Sequence, residues 1–120
     1  MEEVLREIKF ERIKQDKKWG EQNHPCLDQT LLNRADGCTP ERMCLEYEIP
    51  TENRAKGMLE IAFEQGAGTF AHIALEEFAE VVSEFNIYKR RHEIVQLAAV
   101  CVAWIQKIDR DLKKTENDTN

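Results

Sequence analysis

Apolar residues recur every three or four positions along the chain and never alternate with polar ones over a strand's length. That period, broken by clusters of glycine and proline, predicts helices joined by turns, and the fold class expected is all-α. Residues 2–18 carry Val4, Leu5 and Ile8 on one stripe and Phe10 and Ile13 on an offset one. This helix should stop at Trp19-Gly20, where glycine suits the left-handed position after a helix end. Residues 21–37, with Asn23-His24-Pro25 and Asp36-Gly37, are rich in turn formers and read as a long loop, with room for one helical turn over 29–33. Thr39-Pro40-Glu41 joins a capping hydroxyl, a proline suited to the first helical position and an acid facing the helix dipole, so a short helix should run to about Tyr47. Pro50-Thr51-Glu52 repeats the start signal, and Met58, Leu59, Ala62 and Phe63 keep helical spacing until Gly66-Ala67-Gly68. Thr69 caps a fourth helix to about Asn86, and a fifth is expected from Arg91 to about Lys113. The reading is about five helices in a single domain over 1–114, with 115–120 a polar tail expected to fray.

At about 100° per residue, Phe70, Ala74, Phe78, Val81, Val82 and Phe85 form the expected buried stripe of the fourth helix. Glu77, Glu80 and Glu84 lie on its margin and Glu76 further round, so these acids face a neighbouring element rather than open water. Packed carboxylates must be protonated, paired or metal-bound. In the fifth helix only Gln96 is clearly polar between Ile94 and Ile105, and Ala98, Ala99 and Ala103 permit close helix approach. A helix apolar nearly all round is central or shared, which predicts a homodimer or homotetramer burying part of 95–108. Glu93 and Gln96 are three apart, as are Glu77 and Glu80, and a short connector would make the two helices antiparallel neighbours. Four oxygen-bearing side chains can then meet, a donor set suited to Mg²⁺, with Mn²⁺ as the alternative ion. The same spacing also fits acids that merely solubilise a helix, with Gln96 a satisfied core amide.

Charge narrows the ligand. The chain of 120 residues is 33% charged against the ~25% usual in globular proteins, with a formal charge of −6. An acidic surface disfavours a nucleic-acid polymer but leaves a small phosphorylated ligand whose charge a metal offsets. No apolar run approaches the ~18 residues of a membrane span, and Met1-Glu2-Glu3-Val4 lacks the order of a signal peptide, so a cytoplasmic protein without membrane partners is expected. In that setting Cys26, Cys38, Cys44 and Cys101 read as thiols. With His24 they show irregular gaps and no C-x-x-C knuckle for zinc.

No Walker-type phosphate loop is present, and Gly66-Ala67-Gly68 reads as a helix break. Trp19, Gln22 and His24 are candidate substrate-binding residues, because a ring can stack on a base while an amide and an imidazole read its edge. The plainer alternative is a tryptophan anchoring a loop, with His24 a turn residue before Pro25. Lys17, Lys18, Arg90 and Arg91 either touch phosphates or are solvated helix ends. His72 and His92 have no partner identifiable from sequence.

Glu76-Glu77-Phe78-Ala79-Glu80, twelve intervening residues, then Glu93-Ile94-Val95-Gln96 resembles the E-E-x-x-E…E-x-x-D signature of the all-α, MazG-like nucleoside triphosphate pyrophosphohydrolase superfamily. The likeness is strongest over 69–108. A second patch, Glu11-Arg12 and Gln15-Asp16-Lys17-Lys18-Trp19-Gly20-Glu21-Gln22-Asn23-His24-Pro25, is similar to the amino-terminal segment of a phage- and bacteria-associated branch of that superfamily. The resemblance implies an oligomeric helical bundle that splits a nucleotide between its α- and β-phosphates. It also implies that Glu77, Glu80 and Glu93 are Mg²⁺ ligands, that Glu76 is an added acid near a second metal or the attacking water, and that Gln96 stands where Asp is usual. The catalytic set is then Glu76, Glu77 and Glu80. The departure at Gln96 motivates a competing expectation, a catalytically weak or inactive nucleotide-binding or assembly module of the same fold.

Overall fold

A computed structural model describes residues 1–119, and these form helices and turns with no strand. In chain order the helices are α1 (Glu2–Trp19), α2 (Gln29–Leu32), α3 (Pro40–Glu46), α4 (Glu52–Glu64), α5 (Phe70–Ser83) and α6 (Ile87–Thr119). The all-α expectation holds, and the sixth helix is the single turn α2 inside the long loop. None of these helices is long and apolar enough to cross a membrane.

The chain divides into two compact units, Met1–His24 with the chain from Cys101 onward, and Pro25–Val100. In the first unit α1 ends where expected, with Gly20 at φ 68° and its N–H on Asp16 O. Val4 is buried, whereas Leu5, Ile8, Phe10 and Ile13 are exposed. Helix α6 continues to Thr119, held near its end by Lys107 on Asp111 and by the Thr115 hydroxyl donating to Asp111 O at 3.1 Å.

The second unit is built by its caps. Thr39, Thr51 and Thr69 each accept a backbone N–H from the third residue of the helix that follows, at 3.2, 3.3 and 3.2 Å. Each bond satisfies one of the amides a helix start leaves unpaired, an effect of ~1 kcal/mol apiece. Around these helices Leu27, Leu31, Met43, Cys44 and Val82 form the core, flanked by Leu32, Cys38, Ile49 and Phe85. The turn-rich segment thus does structural work: its Leu27 and Leu31 join Met43 and Cys44 of α3 against Val82 of α5. Cys44 Sγ lies 3.3 Å from Ser83 Oγ, and Tyr47 Oη accepts the Asp28 N–H at 3.0 Å, which ties α3 to α5 and to the start of α2.

The backbone of α5 packs most extensively against α4 and α3. The buried stripe of α5 differs from the expected one accordingly. Ala79, Val81 and Val82 are buried, while Phe78 remains 41% exposed. Periodicity assigns residues to a face, but how much of that face is covered depends on the reach of the neighbours. At the turn before α5, Gly66 takes φ 72°, and a Cβ on Gly68 would collide with the Phe63 ring, so the glycine-rich break is required sterically.

Candidate metal centre

The geometry of the centre begins at the elbow between α5 and α6. Helix α5 stops at Ser83, not Asn86, and α6 starts at Ile87, not Arg91. Asn86 is a cap rather than the tail of α5: its Oδ1 accepts the N–H groups of Tyr88 and Lys89, both at 3.1 Å. Its own N–H donates to Glu84 Oε1 at 3.1 Å. Arg90, only 6% exposed, donates from Nε to the Glu84 carbonyl at 2.9 Å. Arg90 is therefore a buried brace on the end of α5, not a solvated helix end, and Glu84 serves the elbow rather than the acidic margin.

That elbow returns α6 past α5 so that carboxylates from both helices meet. One oxygen each from Glu77, Glu80 and Glu93 lies within 4.8 Å of the others, all three side chains being half-buried. Glu77 Oε2 and Glu93 Oε2 are buried without a hydrogen-bond partner. Such an oxygen gives up hydration for nothing in return unless a proton or a cation approaches it. Burial, then hydrogen bonding to Glu93, then repulsion from Glu77, Glu93 and Glu76 push the Glu80 carboxyl up to about 8. Glu77 is raised as well, by burial first and by the charges of Glu76 and Glu93, against a hydrogen bond from Glu80. Without a cation the cluster thus retains a proton. Its donors are hard oxygens only, the set that suits Mg²⁺ or Mn²⁺ and not a thiophilic ion.

Of the candidates on α5 and α6, Glu77, Glu80 and Glu93 are therefore brought together. Glu76 is half-buried and its charge acts on both Glu77 and Glu80. Gln96 is exposed one turn beyond Glu93 on the same side of α6, with Nε2 3.2 Å from His92 Nε2. Trp19, Gln22 and His24 do gather, lining with Glu21 and Asn23 a hollow of about 360 Å³ in the first unit. Trp19 is 65% exposed with the Lys18 ammonium 4.9 Å from its ring centroid, so it is no buried loop anchor. Lys17 is exposed in the last turn of α1 and does not line that hollow.

Three contributors escaped sequence reasoning. Asn86 two residues before Tyr88 is a capping signal that a longer α5 concealed. Arg90 and His92 gave none, since an arginine or histidine near a helix start ordinarily faces water. His72, also without an assigned partner from sequence, has Nδ1 2.7 Å from Thr69 Oγ1. No family model, no curated protein and no solved structure matches the chain.

Proposed function

We propose that the protein is a Mg²⁺-dependent nucleoside triphosphate pyrophosphohydrolase, cleaving a (deoxy)nucleotide between the α- and β-phosphates to a nucleoside monophosphate and pyrophosphate. The observation that carries this reading is the convergence of Glu77, Glu80 and Glu93, two of them with a buried oxygen lacking any partner. Those three residues would hold the ion, with Gln96 as a neutral fourth ligand. When bound, Mg²⁺ supplies charge neutralisation on the phosphates and an activated water. Glu76 faces the same cluster electrostatically and is suited to accept a proton from that water, because its charge is not committed to any ion pair among the described residues. Trp19, Gln22 and His24 offer a ring and polar edges to a base, and Lys17 a charge to a phosphate.

A homo-oligomer belongs to the same reading. Ile87, Tyr88, Ile94 and Val95 are exposed on the first turns of α6 and line an apolar hollow of about 590 Å³. Large apolar side chains at this density on one helix favour a second copy of the chain as their cover. The four free thiols suit a cytoplasmic setting.

The test is to incubate the purified protein with Mg²⁺ and a panel of canonical and noncanonical nucleotides and identify products by mass. Monophosphate and pyrophosphate in equal amounts support the proposal; their absence across the panel overturns it. Gln96 supports a second reading, a helical nucleotide-binding or assembly module with little turnover. Nucleotide binding without hydrolysis, unaltered in Gln96→Asp, would favour that module, whereas turnover gained in Gln96→Asp would show a competent scaffold limited at one ligand.

A further inference from the structure

The residue that departs from the E-x-x-D pattern has a neighbour of complementary chemistry. Gln96 Nε2 lies 3.2 Å from His92 Nε2, one turn earlier on α6. An amide nitrogen has two N–H groups and no lone pair to offer, so the amide donates and the ring nitrogen accepts, which leaves the ring proton on Nδ1. A carboxylate presents an oxygen to a cation whichever way it turns. A carboxamide does not: rotated by half a turn, it presents its NH₂, the positive end of its dipole, where a cation needs a lone pair. An amide ligand on an exposed helix face therefore needs something to set its sense of rotation, and a carboxylate ligand needs nothing of the kind.

We propose that His92 is a positioning residue for Gln96. Its Nε2 holds the amide NH₂ and so leaves Gln96 Oε1 free to join Glu77, Glu80 and Glu93 around a divalent cation. The inference rests on the metal-site reading given above and adds to it the condition under which an amide can stand in for the acid. Both residues are exposed, so this hydrogen bond adds little to the fold. Its effect falls on the ligand, as with the outer partners that orient ligands in other metal sites.

Mn²⁺ titration calorimetry on the full chain tests the inference with four variants: His92→Ala, Gln96→Asp, the two combined, and His92→Gln. With Gln96 in place, His92→Ala should weaken Mn²⁺ binding roughly 10-fold or more. In the Gln96→Asp background the same change should cost nothing, because a carboxylate has no wrong face. His92→Gln should recover most of the affinity, since its side-chain oxygen can accept the same N–H. The metal-free melting temperature should be the same in parent and His92→Ala. Equal weakening in both backgrounds, or no weakening in either, overturns the positioning role while leaving the metal site standing. No Mn²⁺ binding by the parent overturns the metal site and this inference with it.

Discussion

Two sets of acids on the helices of this protein have opposite electrostatics, although both follow from the same helical spacing. On α1 and the later part of α6, Asp16 and Asp111 sit four residues from a base. Arg12 reaches Asp16 at 2.9 Å, and Lys107 reaches both oxygens of Asp111 at 2.6 and 2.7 Å. Asp111 is held below the usual carboxylate range, by the Lys107 hydrogen bond first. On α5 and the start of α6, Glu77, Glu80 and Glu93 meet one another, and burial first, then their mutual interaction, pushes Glu80 up to about 8. Spacing decides that side chains share a face; what the facing element presents decides whether they become a solvated pair or a site. Exposed pairs of the first kind contribute little to stability, while the second kind holds repulsion that a cation relieves.

The sharpest way to break this contrast is Glu80→Gln. On the proposed function, it should lower pyrophosphohydrolase turnover by roughly a hundredfold or more, by removing a charged ligand from the proposed site. It should also remove most of the thermal shift given by Mn²⁺. For the parent that shift should be on the order of 10 °C at about 100 times Kd, from ~2.7 kcal/mol of linked binding. The metal-free variant should melt at or slightly above the parent near neutral pH, because an amide needs no proton taken up on folding.

Arg90→Ala comes next. It removes the brace on the Glu84 carbonyl and should cost about 1–3 kcal/mol in thermal or urea unfolding, the penalty for an unpaired buried acceptor. If the elbow sets the convergence, the Mn²⁺ shift should shrink too, although Arg90 touches no ligand.

The third effect is on pH dependence. The folded Glu80 carboxyl titrates near 8 against 4.5 for the ordinary group, so between these values the native state holds a proton that the unfolded state has released. Stability in the presence of a chelator should therefore fall as pH rises from about 5 to 8, and Glu80→Gln should flatten that slope. Asp111 has the reverse sign, its contribution being present above 3.8 and lost as pH falls further. A metal-free parent whose melting temperature rises steadily from pH 5 to 8 would contradict a protonated cluster.

Smallest of all should be Asp111→Asn. It leaves Lys107 fully solvated, should barely move the melting temperature, and should leave the Mn²⁺ shift at the parental value. A large loss of metal response there would erase the distinction between the two sets.

Local features were the legible ones. Thr39, Thr51 and Thr69 signal helix starts by their own hydroxyls, and Gly20 and Gly66 signal ends by their positive φ. The three glutamates were legible because an interval of three places them on one side of a helix without reference to the rest of the fold. Asn86 was hidden because Phe85 and Ile87 continue an apolar pattern across it, so periodicity ran past the true end of α5. Phe78 and Ala79 exchanged their expected burial because coverage belongs to the neighbouring helices. Arg90 and His92 were hidden for a related reason: their partners, the Glu84 carbonyl and the Gln96 amide, become available only once the elbow and α6 have formed. The division into two units has no compositional break to announce it, since α6 runs through the boundary without interruption.

The three-residue elbow also makes the interval from Glu80 to Glu93 a gauge. With Asn86 fixing where α6 begins and Arg90 fixing it to the end of α5, every later residue of the helix inherits its phase from that point. One residue inserted between Arg90 and Glu93 would turn Glu93 and Gln96 together by about 100° and advance them by ~1.5 Å, removing both from the site while the helix itself stays intact. Four inserted residues would leave them only about 40° out of phase but a full turn too far along. Changes of chain length in this stretch should therefore be far more damaging than substitutions, and the loop over 33–39, which feeds no ligand, is the place to lengthen the chain.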